Sequence, residues 1–102
     1  MKLYVAGPMT GLPEFNYPAF FEAEKRLQKF GYETVNPARQ EDGLSWADYM
    51  RLGVGDVLTV DGVAVLDGWE QSRGARLEVH VAIELGLPVR SVKAWLTEGM
   101  AA

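Results

Sequence analysis

The chain has no cysteine and a single histidine, His80. Without thiols there are no disulfides, no Cys-ligated zinc, no iron–sulfur cluster and no thiol nucleophile. One histidine argues against a His-based metal site or a Ser-His-Asp triad. Basic residues are few and scattered: ten Lys and Arg against fourteen Asp and Glu give a net charge of −4. Proteins that hold a nucleic-acid backbone gather their cations on one face, so no nucleic-acid polymer is expected as a partner. A small nucleotide stays open, because one phosphate needs only a few donors. No apolar run approaches the roughly 18 residues of a membrane span, and the sequence starts directly with a strand-like run instead of a signal peptide. A cytoplasmic protein without a membrane partner is the expectation.

What is present fits one domain over residues 1–102, since 48% hydrophobic and 24% charged residues are ordinary for a globular chain. Lys2 to Ala6 reads as a first strand ending at Gly7-Pro8, followed by a Gly-, Pro- and aromatic-rich loop. Pro18 to Phe30 has helical spacing with Gly31 as its stop, and Tyr32 to Asn36 reads as a second strand. Ser45 caps the next helix, with Trp46, Tyr49, Met50, Val54, Val57 and Leu58 as its apolar side and Gly53 and Gly55 weakening it. Gly62 to Leu66 is a third strand, apolar throughout as in sheets buried on both faces. The loop DGWEQ leads to a helix from Ser72, then a fourth strand, Leu87 to Val92. The tail is expected to form one helical turn and fray. Alternating strands and helices imply an α/β domain with about four parallel strands in the order 2-1-3-4. Ligands in such sheets bind beyond the carboxyl ends at the switch point between strands 1 and 3.

Two loops converge there, and the second opens the helix SRGARLEVHVAIELG. At about 100° per residue, Ala75, Val79, Ala82, Ile83 and Gly86 share an apolar arc, and Glu78 lies on its flank. Two readings of Glu78 stand: a carboxylate paired with a neighbouring Arg or Tyr or set at a subunit boundary, or a reactive group whose pKa burial raises. Tyr4, mid-strand 1, is its natural partner. Ser72 is either a plain N-cap or, with the amides of Arg73, Gly74 and Ala75 and the Arg73 guanidinium, an anion site. Asp61 and Asp67 bracket strand 3 and read first as turn residues. Trp69 is placed either to stack on a ring or to pack as a lid. Phe15, Tyr17, Phe20 and Phe21 read as core and loop anchors, His80 as a surface residue, and Leu77 and Val81 as a hint of an oligomer contact.

Taken together, Y-V-A-G-P-M-T-G at residues 4–11 and G-W-E-Q-S-R-G-A-R-L-E at 68–78 resemble the nucleoside 2-deoxyribosyltransferase superfamily, in particular its small phage and bacterial branch, over residues 2–92. The branch that cleaves 2′-deoxynucleoside 5′-monophosphates is similar too. The resemblance implies a small flavodoxin-like, Rossmann-like three-layer sandwich that cleaves or transfers at an N-glycosidic bond through a deoxyribosyl-glutamate intermediate. It implies Glu78 as nucleophile and Tyr4 as the residue positioning it, with no metal or organic cofactor. Ser72, where transferases of free nucleosides tend to carry Asp, favours a 5′-monophosphate, which an Asp would repel. Gly7, Thr10, Gly11, Asp67, Trp69, Ser72, Arg73 and Gly74 form the candidate substrate-binding set, and a homodimer or larger homo-oligomer is implied.

One departure bears on activity. Relatives read Y-M-R-x-D where this chain has Tyr49-Met50-Arg51-Leu52-Gly53, so an expected Asp is replaced by Gly53. Asp56, one turn on, is the candidate substitute, with Asp48 the other choice. A nucleotide-binding protein of weak or no activity, acting as a sensor or sequestering module, is therefore the alternative expectation.

Overall fold

The computed structural model describes residues 1–40 and 43–101. Four strands, Lys2–Ala6 (β1), Glu33–Val35 (β2), Gly62–Val65 (β3) and Val89–Ser91 (β4), form one parallel sheet in the order β2-β1-β3-β4. Four helices accompany them: Tyr17–Lys29 (α1), Trp46–Val57 (α2), Arg73–Glu84 (α3) and Val92–Ala101 (α4). This is the α/β order expected from the sequence, and the reversal at β1/β3 falls where expected. No described helix is long and apolar enough to cross a membrane.

The sheet is covered on both faces because its central strands alternate two kinds of apolar contact. Leu3, Val5, Ala64 and Leu66 join Phe20, Ala23 and Leu27 of α1 and Trp95 and Leu96 of α4 in one cluster. Tyr4, Ala6, Val63 and Val65 point the other way, to Val57 of α2 and Ala75, Val79 and Ala82 of α3. The helix ends follow local chemistry. Ser45 Oγ accepts from Asp48 N (3.1 Å) to start α2, and Ser72 Oγ accepts from Ala75 N (3.2 Å) to start α3. Gly31 (φ +94°) and Gly86 (φ +75°) turn left-handed just past α1 and α3.

Several expectations change. Gly86 terminates α3 instead of sharing its apolar arc, and Ile83 is 59% exposed, so that arc narrows to Ala75, Val79 and Ala82 with Glu78 among them. Val81 packs against the α2/α3-side core and leaves Leu77 as the exposed member of that pair. The outer strands are three residues each, shorter than the apolar pattern suggested. The tail does not fray after one turn. α4 is held by Trp95, which is buried, donates Nε1–H to Val63 O (2.8 Å) and closes its own carbonyl onto Tyr32 Oη (3.0 Å). Gly62 makes room for it, since a Cβ there would sit 2.8 Å from the indole.

Trp95 therefore anchors the α1/α4 face. Trp95→Ala is expected to cost about 3–5 kcal/mol in urea unfolding followed by circular dichroism. Trp95→Phe, which keeps most of the volume and loses the Val63 bond, should cost clearly less.

Candidate functional site

The loops leaving the carboxyl ends of β1 and β3 open onto a cavity of about 630 Å³. Gly7, Met9 and Thr10 supply one wall, Trp46, Tyr49 and Met50 from the first turns of α2 another, and Ser72, Gly74, Ala75 and Glu78 from α3 a third. Gly7 fits because the chain runs against Leu66, whose Cβ would lie 2.8 Å from a Cβ at position 7. The mouth is bounded by Glu14, Phe15 and Tyr17. Glu14, Phe15 and Asn16 all have left-handed backbones (φ 53°, 52° and 60°), an arrangement non-glycine residues adopt only under constraint. Asn16 Nδ2 donates to Pro8 O (3.0 Å), and the rings of Phe15 and Tyr17 lie 5.9 Å apart, which holds this turn in place.

Glu78 lies at the base of the cavity, 4% exposed. Tyr4, fully buried mid-β1, donates its hydroxyl to Glu78 Oε2. The other carboxylate oxygen, Oε1, has no hydrogen bond among the described residues. Burial pushes the Glu78 carboxyl up to about 7; the Tyr4 hydrogen bond opposes this and the charge of Asp56 adds to it. Burial also raises the Tyr4 hydroxyl well above its ordinary value, reinforced by Glu78, so the shared proton stays with the phenol. Tyr49 is raised for the same reasons, first burial and then the charge of Glu78, and its hydroxyl donates toward Met9 Sδ (3.0 Å) and Pro37 O (3.3 Å).

Of the residues named from the sequence, Gly7, Thr10, Ser72, Gly74 and Glu78 meet on the cavity wall, with Tyr4 directly behind Glu78. The others lie elsewhere. Gly11 and Asp67 are exposed and off the wall. Trp69 packs against the α2/α3-side core and is off the cavity wall. The Arg73 guanidinium lies 3.8 Å over the ring of Trp46 instead of facing the cavity. The Ala75 amide is taken by Ser72 Oγ, which reduces the first-turn donors of α3 to Arg73 and Gly74. Asp56 is off the wall, at the far end of α2, where burial raises its carboxyl above the ordinary value and the charge of Lys2 offsets part of that rise. Asp48 is exposed and pairs with Arg51 (3.3 Å).

Sequence reasoning missed Trp46, Tyr49 and Met50 as wall residues, because their helical spacing reads as core. It also missed how closely Gly53 packs against Glu78 and Tyr4. A Cβ at that position would sit 2.3 Å from Glu78 Oε2 and 3.0 Å from Tyr4 Oη. An Asp at position 53 cannot share this space with the Tyr4–Glu78 pair as it stands.

Burying Glu78 makes stability depend on pH. The unfolded chain releases this proton near 4.5 and the folded chain near 7. Between those values the folded state binds more protons, so stability falls as pH rises and levels off above about 7, a span worth roughly 3 kcal/mol. Glu78→Gln removes that dependence. The variant should gain on the native chain between pH 5 and pH 8 in paired urea titrations; parallel curves would assign the titration to another group.

Comparison with known proteins adds one match. No curated protein matches the chain. A family model described as "Domain of unknown function (DUF4406)" covers residues 1–91. That match takes in β1 through β4 and every wall residue of the cavity. On this evidence the chain belongs to the DUF4406 family.

Proposed function

We propose that this protein cleaves or transfers at the N-glycosidic bond of a 2′-deoxynucleoside 5′-monophosphate or deoxynucleoside, with Glu78 as the nucleophile. The observation that carries the reading is the Tyr4–Glu78 pair at the base of a cavity, reached from the amino end of α3. Ser72 and Glu78 are six residues apart, about 9 Å along the helix axis, the scale of a sugar phosphate. The Arg73 and Gly74 amides and the helix dipole favour an anion at the first turn. Trp46, Tyr49, Tyr17 and Phe15 give the wall an aromatic character suited to a base.

In this reaction a Glu78 oxygen bonds to C1′ while the C1′–N bond breaks and its electron pair leaves with the base. The base takes up a proton from solvent. Water or a second base then displaces the carboxylate from C1′. The course is that of a retaining glycosidase, with an oxocarbenium-like transition state trapped by a carboxylate. The resemblance in the sequence supports the same chemistry and a homo-oligomer, for which exposed Leu77 is a contact candidate.

A second reading, a nucleotide-binding protein with weak or no turnover, is favoured by one observation. Asp56 and Asp48 both lie off the cavity wall, so neither is placed to protonate a leaving base.

Incubation with each deoxynucleoside monophosphate, followed by chromatography of free base, separates the two. Base release should require Glu78, fall by about a hundredfold or more in Glu78→Ala, as removal of a nucleophile does, and rise with pH through about 7 as the carboxylate ionises. Binding by calorimetry without base release would select the second reading, and absence of both would reject the two together. Ser72→Asp tests the phosphate assignment: monophosphate affinity should drop more than nucleoside affinity, and equal losses would remove it.

A further inference from the structure

Gly53 is the point where α2 passes closest to the reactive pair. Met50, Gly53 and Val57 form the buried side of α2, spaced three and four residues apart. Met50 meets α3 at another glycine, Gly74, where a Cβ would sit 3.0 Å from the Met50 sulfur. One turn on, the backbone at position 53 lies over Glu78 Oε2 and Tyr4 Oη, with room for hydrogen but not for carbon. By contrast a Cβ at Gly55, two residues further, would meet nothing within 4 Å. Of these two helix-weakening glycines, only the first is required by packing.

We propose that Gly53 is a positioning residue for Glu78: the bare backbone of α2 lets Oε2 sit against Tyr4, and so leaves Oε1 as the oxygen presented to the cavity. Any side chain at position 53 drives the carboxylate off the phenol and outward into the cavity. Its consequence for turnover rests on the glycosidic reading above, whereas the placement itself does not. Gly53 acts through Glu78 and touches no substrate.

The placement is tested by a double-mutant cycle on the full chain, read by thermal unfolding, with Gly53→Ala made in the native chain and in Glu78→Ala. Alanine is the better helix former, by an amount that corresponds to a melting-temperature gain of about 4–8 °C. That gain, less what the Tyr4 hydroxyl 3.0 Å away takes back, should appear in the Glu78→Ala background, where the carboxylate is gone. In the native chain Gly53→Ala should instead lower the melting temperature or prevent folding. A loss of the same size in both backgrounds would mean that position 53 is crowded by something other than the carboxylate, and would overturn the proposal.

A second measurement reads the carboxylate itself. With carbon-13 in the glutamate side chains, Glu78 is assigned by its absence in Glu78→Ala and titrated by NMR. In the native chain its midpoint should lie near 7, and in Gly53→Ala it should fall toward the ordinary carboxylate range as the group meets water. An unchanged midpoint in a folded Gly53→Ala would also overturn the proposal. Neither measurement depends on base release, so an inactive protein with the predicted cycle would discard the glycosidic reading and keep the assignment of Gly53.

Discussion

A carboxylate enclosed by a strand and two helices loses the hydration that would keep it charged, and one hydrogen bond from a phenol returns only part of it. The Tyr4–Glu78 contact is that compensation, and much of the local architecture is arranged around it. β1 must place a tyrosine where its neighbours carry aliphatic residues. α3 must turn Glu78 inward beside Val79 and Ala82, and α2 must cross without a side chain at position 53. Each is a local departure from the best-packed choice. Such departures in one place are expected of a site and not of a core.

The fold was legible because its signals are periodic. Apolar runs in β1 and β3, serine caps and terminal glycines mark a parallel α/β chain before any coordinate is known. Glu78 was legible as well, as one charged residue on the wrong arc of a regular helix. What stayed hidden depends on contacts between elements distant in sequence. Gly53 looks like a weak spot in α2 until Glu78 is seen beneath it. Trp46, Tyr49 and Met50 have the spacing of core residues, and nothing local says that a cavity lies under them. Trp95 sits in a tail with little patterning, and its value comes from burial in the α1/α4-side core and from its bond to Val63, 32 residues earlier.

The cavity mouth shows a further limit. Glu14 and Phe15 have no intrinsic preference for left-handed backbone, and only Asn16 among the three carries a local signal for it. Their conformation is held by the Asn16 bond to Pro8 and by the tilted contact between the Phe15 and Tyr17 rings. The same side of the cavity brings Glu14 to a wall whose charged members, among the described residues, are Glu14 and Glu78. No cation is among those wall residues, and the Arg73 guanidinium lies over Trp46.

The sheet is one strand-layer thick, and its two faces divide the labour. The α1/α4 side is conventional hydrophobic packing around Leu3, Val5, Phe20 and Trp95, with its buried charge, Glu24, paired to Arg39. The α2/α3 side holds the ionisable pair and the bare helix crossing, and the cavity at the carboxyl edge of the sheet also reaches Phe20 of α1. Away from the crowded crossing at position 53, the α2/α3 side carries the polar groups while the opposite face is close-packed apolar core. For protein engineering this makes the domain a two-sided chassis: new pockets can be cut into one surface of the sheet while the anchoring surface is left as it stands.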